Sequence, residues 1–499
     1  MKKTLFIKNA AILTVTSIVL RVLGIVLKVW LAAVIGSEGI GLYHLIFSVF
    51  VLCTAFANAG IPTAVTRMIA ESFAKNDTNG AFRIIKRAIG ISLVFSLISF
   101  IVLNVFSGFI CNNVLHDERA FISLKIMCFS FPFLACSAVF KSYFFARRKI
   151  TVNSVSIILE QVLRIILCFL IVSKFVKNGI AAAAAGIVLS DTAAEVISFV
   201  FMLVCFVLDS KKHTLNSDTP QKTGETKELL RISFPLLLSR YCTSVLRTGE
   251  NVLVPKTLIM TLSYSTALSR FGAVKGMALP VLFFPSSILN ALSALLLPEM
   301  SEAVAKNKPF IIKNAVKKTL QTTWLLGVIF SAIFFFCGEN IGRIIYKDTI
   351  SGELIKILSV IVPLMYLDSI CDGILKGLDQ QKFTFFTAVS DSLLRIVLIV
   401  IFVPRFSMNG FLAIMLLSNA YTCFLHVGKL LKLTSIKLKP IKDIILPIFY
   451  AVVICYICNR AFAFLSHPIL FTAVFTLFSC ALFAAVIIAF KIVDIHDYI

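Results

Sequence analysis

The sequence predicts an all-α polytopic membrane protein of about fourteen transmembrane helices. They are arranged as two parallel six-helix bundles related by a pseudo-two-fold axis, with two additional helices at the C-terminal end. Three observations predict this class. Hydrophobic residues make up 59% of the 499 positions, charged residues only 15%, and the mean hydropathy is +0.96, which excludes a soluble domain. Apolar stretches long enough to cross hydrocarbon recur near residues 10–34, 40–62, 88–110, 121–145, 152–173, 180–208, 229–254, 273–298, 321–338, 354–375, 383–404, 408–428, 443–463 and 468–490. The chain also repeats itself at a fixed offset, and that repeat divides the spans into two equal sets.

The first stretch sets the chemistry. It carries two cations, Arg21 and Lys28, seven residues apart and therefore on one helix face. A cation in hydrocarbon costs ~2.5 to 3.5 kcal/mol on insertion scales, so both are expected to face a water-filled cavity or an anion. The run is too long, and too interrupted by charge, for a cleavable signal peptide.

Sliding the sequence against itself aligns the two halves at an offset of 231. Gly41 matches Gly272, and Glu71, Ala74, Lys75 and Asn76 match Glu302, Ala305, Lys306 and Asn307. Lys86-Arg87 matches Lys317-Lys318, and Pro132 matches Pro363. Farther on, Glu160 and Leu163-Arg164-Ile165 return as Asp391 and Leu394-Arg395-Ile396, and Asn178-Gly179 returns as Asn409-Gly410. At the front of each half the offset is 219, which pairs Arg21 and Lys28 with Arg240 and Arg247 of the seventh stretch. Each copy holds an even number of spans, so the copies share one orientation in the membrane.

The expected organisation is an N-terminal bundle over 1–208, a polar linker over 209–228, a C-terminal bundle over 229–428 and an appendage over 429–499. The linker, rich in charge with Pro and Gly, reads as a flexible tether. Arg67 to Arg87, and its counterpart Glu299 to Lys318, alternate charge with apolar positions and predict amphipathic segments at the membrane interface. The net charge of +23 is scattered through short loops, without a basic arm or a nucleic-acid fold signature, so no nucleic-acid partner is expected. Lys and Arg concentrate in alternate loops, which predicts a multi-pass protein with both termini on the cytoplasmic side, attracted to anionic membrane lipids.

If the bundles face each other, Arg21, Lys28, Arg240 and Arg247 converge, with Glu250 beside them. Such a set suits a phosphate or pyrophosphate, because Arg grips oxygens in a fork and Lys acts as a point charge. The competing reading leaves Lys28 snorkelling at the span end and Arg240 paired with Glu250 or a neighbour. Glu160 with Arg164, and Asp391 with Arg395, are spaced four apart and predict neutral structural pairs on one face. Asp191 with Glu195, and Asp368 with Asp372, have the same spacing but like charge, which makes them candidate ion-coupling sites or partners for bases elsewhere.

Thirteen Cys, an odd number placed mostly in apolar runs, suit small core residues better than disulfides. Cys455 and Cys458 form a C-x-x-C inside a span without a second pair, so no metal or cofactor is expected. No P-loop, H-E-x-x-H or G-x-S-x-G occurs and no loop is long enough for a catalytic domain, so transport is favoured over enzyme chemistry.

Several segments resemble the polysaccharide-transporter branch of the multidrug/oligosaccharidyl-lipid/polysaccharide exporter superfamily, and its sporulation members in particular. They are Arg21-Val-Leu-Gly24, the run from Ile35 to Tyr43, Gly60-Ile-Pro62 leading to Ile69-Ala-Glu71, Phe271 to Pro280, Leu297 to Ala303 and Gly373 to Gln380. The resemblance reaches from the first span to at least the twelfth. It implies a fourteen-span alternating-access flippase that moves a polyprenyl-pyrophosphate-linked saccharide outward, a peptidoglycan precursor or a polysaccharide repeat unit, with a part in spore cortex synthesis. It further implies a lipid-linked saccharide substrate and cell-wall synthases as partners. In the related lipid II flippases Arg residues of the first bundle and of the seventh and eighth spans line the cavity; Arg21, Lys28, Arg240 and Arg247 are the positions that match here. The second span of this chain lacks the basic residue those flippases carry. A multidrug/cation antiporter of the same fold is the alternative, and it calls for a carboxylate-rich cavity in the first bundle, whereas the first span carries only cations.

Overall fold

The computed structural model describes residues 2–75, 77–211, 224–286, 289, 309–436, 439–465 and 467–490. The chain folds into two compact units, Met1–Lys256 and Thr257–Ile499. Among the described residues ten helices are long and apolar enough to cross a membrane, or eleven with one bent pair counted as a single span. Two of these helical segments each contain two apolar stretches, so with the bent pair they account for thirteen of the fourteen; the eighth stretch lies partly outside the described residues.

The first unit begins with α1 (Lys2–Asn58). A straight helix of 57 residues would be about 85 Å long, far beyond the ~30 Å of a hydrocarbon core. It is broken at Gly36, where φ is 68° and ψ 178°. That left-handed conformation is open to glycine at little cost, and it separates the first span from the second. Gly60, also at positive φ (69°), turns the chain into α2 (Ile61–Ala74). The amphipathic expectation holds here: Ile61, Ala64, Val65, Met68 and Ile69 are buried, while Arg67 and Glu71 face out and pair with each other at 3.0 Å.

Asp77 starts α3 (Thr78–Phe109) by accepting the Gly80 amide hydrogen at 2.7 Å. Next come α4 (Phe121–Cys128) and α5 (Ser130–Ala146), which bend 45° to make one span. The hairpin α6 (Ile150–Phe175) and α7 (Ile180–Ser210) follows, and α8 (Glu225–Leu258) closes the unit. The core gathers around Tyr143, Phe140 and Phe144 of α5 with Ile84 and Ile85 of α3 and Ile69 of α2.

Two clusters of ion pairs fasten the polar end of this unit. Asp209, at the end of α7, accepts from Tyr143 Oη at 2.9 Å and pairs with Arg147 and Lys149. Glu225, the first residue of α8, pairs with Arg83 at 3.3 Å and Arg87 at 3.4 Å, both on α3. Residues 212–223, the middle of the expected linker, lie outside the described residues.

The second unit contains α9 (Tyr264–Gly272), a π-helical turn over Ala273–Ala278, and α10 (Leu279–Leu282). Most of the eighth stretch beyond residue 286, the first half of the expected amphipathic segment Glu299 to Lys318, and the repeat matches Glu302, Ala305, Lys306 and Asn307 lie outside the described residues, as does Asn76. Then come α11 (Pro309–Tyr346), α12 (Thr349–Leu358), α13 (Val362–Gly377) and α14 (Gln381–Thr434). The last helix, 54 residues long, is broken at Ser407 and supplies two spans. The appendage, α15 (Leu446–Ala461) and α16 (Pro468–Ala489), packs on α11. Trp324 Nε1 donates to the Ile444 carbonyl at 3.4 Å, and the rings of Phe336 and Phe475 lie 6.4 Å apart. Cys455 and Cys458 are buried in α15.

Candidate functional site: a charged pocket within the first unit

A cavity of about 390 Å³ opens among α1, α4, α5, α6 and α7. The first half of α1 contributes Lys28 and its second half Tyr43, while α6 contributes Glu160, Gln161 and Arg164. From α7 come Asp191, Thr192 and Glu195, and apolar side chains such as Leu27, Ile46 and Phe50 complete the wall. An apolar pocket with a few convergent polar groups is the usual form of a site for a small or chain-like ligand.

Arg164 is the hub. Its guanidinium meets Glu160 at 2.9 Å, the Gln161 side-chain oxygen at 2.8 Å and Asp191 at 2.9 Å. Glu160 is also paired with Lys141 of α5 at 3.2 Å and accepts from Ser198 at 3.3 Å. Asp191 accepts from the Tyr43 hydroxyl at 3.1 Å. The expected i to i+4 pair is therefore present, but it is part of a network joining α1, α5, α6 and α7. Asp191 has found a base, one of the two outcomes its spacing left open. Lys28 stands on the pocket wall without an ion pair among the described residues, and Glu195, also on the wall, is buried.

This geometry adds acids that the sequence placed on other spans. The first span contributes Lys28, and Glu160, Asp191 and Glu195 reach the pocket from the fifth and sixth spans, so the wall of this pocket is mixed in charge. The sequence singled out these carboxylates but could not place them beside Lys28, because they lie more than 130 residues away along the chain.

The remaining expected site residues are spread over α8 and the second unit. Arg240 donates to Thr63 Oγ1 at 3.3 Å. Arg247 is exposed and Glu250 buried. In the second unit Asp391 pairs with Arg395 at 3.1 Å, and Ser418 hydrogen-bonds to both. Asp372 pairs with Lys376, and Asp368 with His426 at 2.8 Å.

That His426 bond was missed, and the repeat offers no direct signal for it, since Asp368 falls on Ser137 of the first copy. At the offset of 231, Lys141 and Glu195 of the first copy fall on Asp372 and His426 of the second, so acid and base have exchanged helices. The partners differ between the copies: Lys141 pairs with Glu160, whereas Asp372 pairs with Lys376 and His426 with Asp368.

Residues 6–302 match the family model described as Polysaccharide biosynthesis protein, and residues 256–401 match the model MatE. Stage V sporulation protein B of Bacillus subtilis (strain 168) is 28% identical over 468 residues, covering 92% of this chain and 90% of that protein. Lipid II flippase MurJ of the same organism is 21% identical over 458 residues, covering 85% and 81%. A solved structure of Lipid II flippase MurJ in an inward closed conformation superposes with a TM-score of 0.74 at 16% identity, over 95% of this chain and 97% of the other.

Proposed function

The chain belongs to the Polysaccharide biosynthesis protein family, and from that membership we propose that it flips a polyprenyl-pyrophosphate-linked saccharide across the bacterial cytoplasmic membrane by alternating access. The observation that carries the reading is the match over residues 6–302, which contains every cation of the candidate site. Relatives named as a lipid II flippase and a stage V sporulation protein support a peptidoglycan precursor of the spore cortex as cargo, and cell-wall synthases as the partners that consume it.

In this reading Arg21, Lys28, Arg240 and Arg247 capture the pyrophosphate, while the polyprenyl tail stays in lipid. Like cations repel one another until an anion screens them, so capture favours the closed arrangement and release the open one. The carboxylates on the pocket wall suit hydroxyl groups of the glycan, for which ionised oxygens are strong acceptors. Asp191, Glu195, Asp368 and Asp372 are the candidate coupling groups, and three of the four are held by a base. Both termini lie in the cytoplasm.

A second reading, a drug/cation antiporter, draws on the MatE match over residues 256–401 and on the three carboxylates of the pocket. Proteoliposomes separate the two. The flippase reading predicts transfer of a fluorescent undecaprenyl-pyrophosphate sugar between leaflets and no uptake of a cationic dye against an imposed ion gradient. Dye transport with no lipid transfer would reverse the assignment.

A further inference from the structure

Along α8 the residues that touch the rest of the first unit recur at the spacing of a helix seam. Ser233, Leu236 and Leu237 lie against Gly60, and the Tyr241 ring stands 5.8 Å from Phe56. Thr248 Oγ1 donates to the Ser48 carbonyl at 3.0 Å, and Asn251 Nδ2 donates to Ser48 Oγ at 3.0 Å. As the α8 numbers rise from 233 to 251 the partners fall from 60 to 48, so α8 runs antiparallel to the second half of α1. The seam carries Ser233 at the Gly60 end and a cluster of side-chain hydrogen bonds at the Ser48 end, with Leu236, Leu237 and the Tyr241 ring between them. Ser48 and Thr248 are 5% and 8% exposed, and Ser48 Oγ also donates to the His44 carbonyl at 2.8 Å.

A buried polar contact in an apolar seam adds modestly to affinity between helices, yet it discriminates strongly between registers, because a slipped helix leaves donors without acceptors. A slip of one turn would carry every α8 side chain about 5.4 Å along the axis. Arg240 and Arg247 each precede a seam residue, Tyr241 and Thr248, and so flank the seam on one side; both are exposed. Their height in the membrane is set by the register that the polar contact selects.

We propose that Ser48, Thr248 and Asn251 form a positioning device that fixes the register of α8 on the second half of α1, and so holds Arg240 and Arg247 where they capture an anionic lipid head. The register claim stands on the geometry alone, and the capture claim rests on the flippase reading.

The test uses full-length protein with its native cysteines replaced and the pair Phe56→Cys and Tyr241→Cys introduced, monitoring disulfide yield under mild oxidation. Undecaprenyl pyrophosphate, added in detergent and followed by native mass spectrometry, is the binding probe. Thr248→Val with Asn251→Leu is expected to lower the 56–241 cross-link and raise cross-links from 56 to cysteines placed one turn away, at 237 or 245. Affinity for the probe falls about tenfold, the equivalent of one charge-assisted contact. Thr248→Ser, which keeps the hydroxyl, retains both the cross-link and the affinity, and Thr248→Val alone gives an intermediate result should the double variant fail to fold. An unchanged cross-link pattern in the folded Val or Val/Leu variants overturns the proposal. A shifted pattern with undiminished probe binding overturns the positioning role. If the protein without these substitutions ignores the probe, the flippase reading fails and the cross-links alone decide the register claim.

Discussion

Replacing Arg164 by Met removes the hub of the pocket network and keeps the length of the side chain. The loss leaves Glu160 with Lys141 at 3.2 Å, but Asp191 with only the Tyr43 hydroxyl at 3.1 Å. Removing one partner of a buried ion pair costs roughly 3 to 5 kcal/mol. Here the side chains of Arg164 and Asp191 are each 26% exposed, and Tyr43 remains as a donor, so the lower end applies, ~3 kcal/mol. At roughly 2 to 4 °C per kcal/mol for a unit of this size, thermal unfolding in detergent should move down by about 6 to 12 °C. Asp191→Asn alone should cost less, ~1 to 2 kcal/mol, because Arg164 keeps Glu160 and Gln161. The informative quantity is the double variant Arg164→Met with Asp191→Asn. Without an ionised carboxylate left alone, its loss should be smaller than the sum of the two single losses by ~1 to 2 kcal/mol. Fluorescence-detected size-exclusion chromatography after graded heating measures all four proteins. A single variant within 2 °C of wild type, or a double loss equal to the sum, would refute the network as a coupled unit.

Three further outcomes follow from the same coordinates. Gly60→Ala should destabilise the first unit by at least ~1 kcal/mol, through its positive φ and through a Cβ 2.7 Å from the Ser233 carbonyl; the same heating assay reads it, and Gly60→Ala also loosens α8, seen as faster hydrogen exchange over 229–241. Asp209→Asn weakens its contacts with Arg147, Lys149 and Tyr143 and should cost ~2 kcal/mol, with protease cleavage after Arg147 or Lys149 appearing at lower enzyme concentration. Glu225→Gln should cost ~1 kcal/mol at low ionic strength, and the difference from wild type should shrink as NaCl rises, since Arg83 and Arg87 are 22% and 30% exposed.

The sequence carried much of this architecture because hydrocarbon imposes long apolar runs, and the duplication ordered them. The breaks inside α1 and α14 fall between stretches that composition had already separated, at Gly36 and Ser407. The pairs Glu160–Arg164 and Asp391–Arg395 were legible because four residues of a helix bring two side chains together whatever the tertiary context. The contacts of Tyr43 with Asp191 and of Ser48 with Thr248 join residues 148 and 200 positions apart, and periodicity holds no information about such encounters. The exchange of Lys141 and Glu195 for Asp372 and His426 lay in the aligned repeats, but it acquires meaning only once His426 is seen beside Asp368. Likewise α8, a copy of the first span by its cations, packs with the first unit through contacts that repeat arithmetic does not supply.

The central claim is that cations of the first unit capture a lipid-linked anion. Its most direct test is leaflet transfer of a labelled undecaprenyl-pyrophosphate sugar in proteoliposomes, comparing wild type with Arg21→Ala and Arg247→Ala at matched folding and incorporation. The account predicts transfer by wild type and a loss of at least about tenfold in each variant, the equivalent of one charge-assisted contact. Transfer at the wild-type rate in both variants would contradict it and make those cations structural.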